Sequence, residues 1–333
     1  MPRDTALGQA ALSPTWRGAG FLPRYLGGGI LGIVLLAFLP ALAGTDWGMV
    51  FGILSMIPLW AWALIILGQA AIVLAGSAKW RLLLARLPDN PQRIPFRAAT
   101  RATTLGALLG QILPIQIVTP LTRAWVARHH DISTGRAVGA SLMEQLFEVI
   151  ALAAAATGSV TLFAFGEIGP ASVGAAFGAA VLVLMGVTAG LNTLARFLGG
   201  LGLRSGLLGK LSQTAGIAAS LPRGATFGLL LLSLFRYGLL VGLNVGIFAL
   251  LLPGIDLTVL ILAYPLIIAV LSFPVFPGGL GVVEATWVGV LATSGIDTAT
   301  AVEAALALRI ILVGGFLFGV PALLWPVMPR GRT

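Results

Sequence analysis

The stretch SFPVFPGGLGVVEAT, residues 272–286, interrupts an apolar region with two prolines, three glycines and a glutamate. Proline removes a backbone donor, and glycine allows dihedral angles that other residues avoid. Irregular backbone at bilayer depth is tolerated only where protein covers it or where it lines a wet cavity. The stretch therefore predicts one helix that ends at the prolines, a second that begins near Gly281, and a polar junction between them.

The composition of the whole chain requires a lipid environment. Of its 333 residues, 58% are hydrophobic and 9% charged, whereas a soluble domain has about 25% charged residues. The 44 glycines suit close contacts between membrane helices. The net charge of +9 is then interpreted as a topological signal rather than as a nucleic-acid-binding one.

Few residues could hold a metal or a cofactor. The chain has no cysteine, which excludes disulfides and thiolate ligands. Its only histidines, His129 and His130, precede Asp131, and we interpret this HHD sequence as a solvated loop end rather than as a ligand set. We predict no metal site and no cofactor.

Six apolar runs reach the length of about 20 residues that a membrane-spanning helix needs, namely 25–44, 49–76, 137–165, 168–195, 224–252 and 299–327. Two further apolar regions are interrupted: 103–127 by Pro114 and Pro120, and 257–295 by Pro265 and the stretch quoted above. We interpret both as hairpins that enter and leave the bilayer on one side. The second region could instead form two short crossings.

The basic residues support this topology. With a cytoplasmic N-terminus, 18 of the 20 Lys and Arg residues fall on the cytoplasmic side, and only Arg236 and Arg309 lie within spans. The outer loops then contain only acidic charges, Asp46, Glu167, Asp256 and Asp297. Such a bias follows the positive-inside rule.

The predicted fold is therefore an all-α polytopic membrane protein, with about six spans and two broken hairpins that enter from opposite faces. Residues 1–24 form a cytoplasmic segment, 25–329 a single transmembrane domain and 330–333 a cytoplasmic tail. We interpret the first span as uncleaved, although PALAG (40–44) resembles a signal-peptidase site. Segments 77–101 and 197–222 are interpreted as cytoplasmic, either amphipathic at the interface or ordinary basic loops.

Ionisable groups within spans are candidates for function, because each costs several kcal/mol unless it is paired or hydrated. Glu144 and Glu148 lie on one helical face and require a cation nearby, for which Arg123, Arg236 and Arg309 are available. Glu303, near the outer interface, is assigned a structural role. The candidate site comprises Arg123, Glu144, Glu148, Arg236, Pro277, Gly278, Gly279, Gly281, Glu284 and Arg309. A structural ion-pair network is the alternative.

Motifs of soluble enzymes are missing from the sequence. HExxH, GxSxG and Walker A patterns do not occur. GGGILG (27–32) matches GxGxxG but lies in the first span without a preceding strand, so we interpret it as a packing face. The sequence thus favours a protein without covalent chemistry.

The chain resembles the lysylphosphatidylglycerol synthase transmembrane-region family, the membrane part of the multiple peptide resistance factor and its stand-alone relatives. The resemblance rests on three segments and on KWRLLLARL near residue 80: PGGLGVVEA (277–285) with the later ALALRI (305–310), QILPIQIVTPLTRAW (111–125), and ASLMEQLFEVIAL (140–152). Gln145 and Val283 stand where the family usually has Arg. The family's Gly/Asp loop before Arg123 is replaced by Val118-Thr119-Pro120.

The resemblance implies a flippase-like translocator of aminoacylated or other polar lipids in the bacterial inner membrane, and the predicted substrate is a polar or anionic lipid. The charge bias predicts that both termini are cytoplasmic. The resemblance also implies a phospholipid or another polar lipid as partner, and no nucleic acid. Two alternatives remain open, a membrane-embedded lipid-modifying transferase and an accessory scaffold of a lipid, hopanoid or glycolipid pathway. A homo-oligomer or a lipid-synthesis enzyme could be a further partner.

Overall fold

The computed structural model describes residues 44–87, 93–111, 113–165, 178–186, 221–272 and 279–319, with a few further residues between 37 and 41 and between 171 and 193. Every regular element in these ranges is helical. The principal helices are α1 Trp47–Ser55, α2 Leu59–Arg86, α3 Phe96–Leu109, α4 Ile115–Arg128, α5 Thr134–Phe165, α6 Arg223–Leu251, α7 Leu257–Ser272, α8 Val282–Thr293 and α9 Thr298–Gly319. The protein is an all-α polytopic membrane protein, as predicted.

Within the described part of the chain, four helices are long and apolar enough to cross a bilayer: Leu59–Arg86, Thr134–Leu162, Arg223–Leu251 and Thr298–Leu317. Each corresponds to a predicted span. Of the predicted span 168–195, the structure describes residues 171–172, 175–176, 178–186, 190 and 193, and all of them are helical. Nearly all of the segment 197–222 and most of 25–44 lie outside the described residues.

The predicted span 49–76 is wrong at its start. The chain forms the short helix α1, turns at Met56–Ile57, and begins α2 after Pro58. Proline has no backbone N–H and disfavours a helical conformation in the residue before it, so the two helices cannot merge here.

In the region of the first predicted hairpin, two helices form a helical hairpin whose bounds differ from the predicted ones. Helices α3 and α4 have 14 residues each and pack against each other, and at 1.5 Å per residue each is about 21 Å long. This is shorter than the hydrocarbon layer of about 30 Å. The hairpin begins at Phe96 rather than at residue 103, and α3 ends at Leu109 before α4 begins after Pro114. Pro120 lies inside α4 and does not break it.

Helices α2 and α6 pack together and run antiparallel. A Cβ atom at Gly68 would lie 2.7 Å from Leu243, and one at Gly228 would lie 4.0 Å from Leu82. The early part of α2 therefore faces the late part of α6, and the reverse holds at the other end. This pair is the frame on which the two hairpins pack.

Two apolar cores occupy the two ends of that frame. One core joins the late part of α2 (Trp80, Leu83) to α3, α4, α5 and the start of α6. The other joins the early part of α2 (Ile65) and the end of α6 (Phe248) to α7, α8 and α9. The α3–α4 hairpin and the α7–α8 pair therefore lie at opposite ends of the α2–α6 frame.

For KWRLLLARL (79–87), the alternative of an ordinary basic loop is wrong, and its Trp and Leu residues pack in a protein core rather than at a membrane interface. Helix α2 continues to Arg86, and Lys79, Trp80, Leu83 and Leu84 are buried. The end of the helix is held by Arg136 of α5, whose Nη2 donates to the carbonyl oxygens of Leu84 and Leu87 at 3.0 and 2.9 Å. Side-chain donors of this kind satisfy the last carbonyls of a helix.

Helix α9 begins with a polar cap outside the candidate span. The carboxylate of Asp297 accepts the backbone N–H of Thr300 at 3.0 Å. Hydrogen bonds from the hydroxyl and the N–H of Thr300 hold the pKa of Asp297 below its ordinary value. This acidic loop residue is one of those predicted for the outer face.

Candidate functional site

Arg123 is the centre of a buried polar contact between the first hairpin and the rest of the protein. Its side chain is 2% exposed, and Nη1 donates to Oε2 of Glu144 on α5. The hydroxyl oxygen of Thr103 on α3 accepts from Nε at 3.4 Å and from Nη2 at 3.2 Å. Nη2 also donates to the Gly76 carbonyl at 3.4 Å, and the Trp80 ring lies 5.2 Å from Cζ, within cation–π range.

Gly76 allows this approach. A Cβ atom at residue 76 would lie 3.5 Å from Thr103 Cγ2 and 3.6 Å from Glu144 Oε1. These are ordinary contact distances, so a methyl group fits but a longer side chain would displace the ion pair. The small residue in α2 thus leaves the space in which Arg123 and Glu144 meet.

Glu148, one turn further along α5, is shared by two cations. Its Oε1 contacts Nζ of Lys79 from α2 and accepts from Nη1 of Arg236 on α6 at 2.8 Å. Lys79 is fully buried, whereas Glu148 and Arg236 are 26% and 25% exposed. We call Lys79, Arg123, Glu144, Glu148 and Arg236 the charged cluster.

The position of α4 in this cluster depends on a local compensation. Pro120 has no N–H, so the carbonyl of Gln116, four residues earlier, lacks its normal helical donor. Nε2 of Gln145 on α5 donates to that carbonyl at 3.0 Å. Gln145 lies between the two glutamates of the cluster and ties α4, which bears Arg123, to α5.

A second ion pair lies at the start of α8. Gly281 precedes the helix with φ +79°, in the left-handed region that favours glycine. Its N–H donates to Oε2 of Glu284 at 2.7 Å, so the glutamate caps its own helix. Oε1 of Glu284 lies 3.5 Å from Nε of Arg309 on α9. We call Glu284 and Arg309 the α8–α9 pair.

Polar aromatic residues lie between the two groups. Tyr264 of α7 is close enough to Arg236 for an electrostatic interaction, and its hydroxyl accepts from Asn244 Nδ2 at 3.3 Å. Its ring lies 6.2 Å from that of Trp287, which follows Glu284 by three residues on α8. The Trp287 indole N–H is buried without a hydrogen-bond partner among the described residues.

The structure thus brings most of the predicted residues into two sets. Arg123, Glu144, Glu148 and Arg236 meet in the charged cluster. Glu284 pairs with Arg309, so Arg309 is not the cation that neutralises the α5 glutamates. Gly279 and Gly281 both have positive φ, +67° and +79°, whereas Pro277 and Gly278 lie outside the described residues.

The structure also describes two predicted features outside the site, Glu303 and the His129–Asp131 sequence. Glu303 is buried on α9 and accepts a hydrogen bond from the Thr45 hydroxyl before α1, a contact that ties two helices together. The His129–Asp131 sequence lies in the turn after α4, where His129 Nδ1 lies 3.0 Å from the Trp125 carbonyl oxygen. GGGILG (27–32) lies outside the described residues.

Sequence reasoning missed Lys79, Thr103 and Gln145. The predicted span 49–76 ends before Lys79, which places this lysine on the cytoplasmic side. A signal is nevertheless present: residues 49–78 before Lys79 contain no charge, and the two glutamates of α5 require a cation nearby. Thr103 and Gln145 are uncharged, and nothing in the local pattern separates them from packing residues.

The fold and the site define a polytopic helical membrane protein with buried ion pairs between its spans. The sequence matches the family described as the lysylphosphatidylglycerol synthase TM region over residues 25–319, and the chain belongs to this family. The family indicates a function related to membrane lipids. A search for related curated proteins gave no match.

Proposed function

We propose that this protein is a lipid translocator, which moves a lipid with a polar or anionic headgroup between the leaflets of a bacterial inner membrane without covalent chemistry. The observation that carries the proposal is the charged cluster, in which ionic side chains from α2, α4, α5 and α6 meet between the helices. Polar residues in such a place are characteristic of substrate pathways.

The cluster is suited to a headgroup because its members differ in exposure. Lys79 and Arg123 are buried, whereas Glu148 and Arg236 are each about a quarter exposed. Apolar packing often replaces buried ion pairs without loss of stability. A charged network that only held the helices together would therefore gain little from having a partly exposed side. The open side offers charged groups to a ligand while the buried side holds them in place.

The α8–α9 pair would provide a second polar binding position for the headgroup. We call the charged cluster and the α8–α9 pair the two stations. The charged cluster belongs with the first hairpin, and Glu284 belongs with the α7–α8 pair at the other end of the α2–α6 frame. Tyr264 and Trp287 lie between them. A headgroup would pass from one station to the other while its acyl chains remain in lipid, in the manner of transporters with broken helices.

The energy for movement would not come from ATP, since the chain has no nucleotide-binding motif. Protonation of Glu148 or Glu284 would couple translocation to a proton gradient, and passive exchange between leaflets is the alternative. Cytoplasmic termini and the inner membrane are part of the proposal, on the charge bias of the sequence.

The test is translocation of labelled lipids in proteoliposomes that contain the purified protein. The panel contains anionic, aminoacylated and neutral lipids, and Glu284→Gln is compared with wild type. Glu303→Gln is the matched control, because it also changes a buried glutamate but lies outside both stations. We expect movement of at least one lipid, slower in Glu284→Gln and unchanged in Glu303→Gln.

Other outcomes would favour the other functions. No movement of any lipid by folded, inserted protein would refute the proposal. Formation of a modified lipid by the purified protein in detergent would indicate a transferase. Intact cellular function of Glu284→Gln and Arg123→Ala, each shown to fold and insert, would indicate a scaffold.

A further inference from the structure

The charged cluster is not electrically balanced. With its five groups ionised, it has three cations and two anions, so one positive charge remains. Arg123 and Glu144 neutralise each other within the buried part. The excess therefore belongs to the group in which Lys79 and Arg236 share Glu148.

Arg236 is the cation at which an anionic ligand would meet the excess positive charge. Lys79 is fully buried behind Glu148, whereas Arg236 is a quarter exposed. Nη1 of Arg236 donates to Glu148, but its Nε is buried without a hydrogen-bond partner among the residues the structure describes. A buried donor without an acceptor costs stability, and because Nε has almost no accessible surface, a ligand oxygen would satisfy it only after the Arg236 side chain turns outward.

We propose that Arg236 binds the phosphate of an anionic lipid headgroup, and that Lys79 keeps the charge of Arg236 from being cancelled. Lys79 pairs with Glu148 from the buried side, so Glu148 does not neutralise Arg236 fully. A planar guanidinium matches the oxygens of phosphate, and a monoanion neutralises the single excess charge. This inference rests on the proposed function and specifies the substrate of its site.

The net charge of the cluster gives a definite expectation for each of three variants. Arg236→Gln removes the excess charge, so we expect affinity for the anion to fall on the order of tenfold or more. Glu148→Gln removes the competing anion and should strengthen binding. The double variant Lys79→Gln/Glu148→Gln keeps one excess charge and should retain affinity within about threefold.

The binding experiment uses the full chain in micelles of an uncharged maltoside detergent. The probe is dihexanoyl phosphatidylglycerol, titrated calorimetrically against each variant, with dihexanoylglycerol and inorganic phosphate in parallel. Arg81→Gln is the control, because Arg81 is an exposed cation on α2. We expect binding of the anionic lipid, none of the uncharged lipid, and no effect of Arg81→Gln.

Several results would overturn the inference. These are equal binding of the uncharged lipid, unchanged affinity in Arg236→Gln, or weaker binding in a folded Glu148→Gln. If Arg236→Gln fails to fold, the double variant decides the matter, since loss of its affinity contradicts the charge argument. Phosphate binding as strong as lipid binding would overturn the assignment to a headgroup.

Failure of this inference and failure of the proposed function are separable. Translocation of neutral or aminoacylated lipid without Arg236-dependent anion binding would refute the phosphate site and leave the translocator intact. Arg236-dependent binding without translocation of any lipid would refute the translocator and leave the anion site intact.

Discussion

The contact between Gln145 and the Gln116 carbonyl allows a quantitative test, because a single substitution can supply the donor that Pro120 lacks. Gln145→Leu removes a 3.0 Å hydrogen bond to a carbonyl that has no helical donor. Hydrogen bonds between membrane helices contribute about 0.6 kcal/mol on average and up to about 1.7 kcal/mol. Gln145 stands in for the helical donor that Pro120 cannot supply, so we expect Gln145→Leu to cost about 1–1.7 kcal/mol.

Pro120→Ala restores an N–H four residues after Gln116, so the carbonyl regains a helical donor. In that background the cost of Gln145→Leu should fall below about 0.5 kcal/mol, which gives a coupling energy near 1 kcal/mol. The four proteins of this double-mutant cycle would be unfolded reversibly by sodium dodecyl sulfate in mixed micelles. Unfolding would be followed by circular dichroism.

Equal costs of Gln145→Leu in the two backgrounds would refute the reasoning, since the two residues would then act independently. A matched control is Gln111→Leu, whose amide Nε2 donates to the Ala107 carbonyl of its own helix at 3.3 Å. Its cost should not depend on residue 120.

Three further predictions concern packing, backbone strain and a structural glutamate. Gly106→Ala should destabilise the protein by about 1–3 kcal/mol, because its Cβ would lie 3.0 Å from the backbone of α4. Gly139→Ala is the control, since a Cβ there has open space and should change stability little. Equal melting temperatures of the two variants would contradict this. Gly281→Ala should cost about 1–2 kcal/mol, because φ is +79°, and an unchanged unfolding midpoint would show that the turn relaxes. Glu303→Gln should lower stability by about 1 kcal/mol without slowing lipid translocation, and a transport defect in well-folded protein would add this residue to the site.

Much of the fold could be predicted because hydropathy and charge are properties of single segments. Apolar length identified the four long helices that the structure describes, and glycine at 281 identified the start of α8. The Pro58 break was missed because apolar residues continue through it. Pro120 was predicted to break a helix that it does not break, because Gln145 compensates for its missing donor.

The site could be predicted only in part, because ion pairs are a property of tertiary structure. The charges within α5, α6, α8 and α9 were identified individually from the cost of burying them. Their partners were not determined by the sequence: Lys79 and Glu148 are 69 positions apart, and Arg309 is paired with Glu284 rather than with the α5 glutamates. Lys79 escapes the prediction because it lies beyond the predicted end of its span at residue 76, whereas α2 continues to Arg86.

The two glutamates of α5 also bear on how the protein enters the membrane during synthesis. A charged residue at the centre of an isolated helix disfavours insertion by about 3 kcal/mol, and α5 carries Glu144 and Glu148 in the least apolar of the four candidate spans. Their partners Lys79 and Arg123 precede them in the chain, whereas Arg236 follows. Because a nascent chain emerges in order, α2 and the first hairpin are available to neutralise α5 as it leaves the translocon. We therefore expect α5 alone to insert poorly, and to insert efficiently when residues 44–128 are synthesised ahead of it.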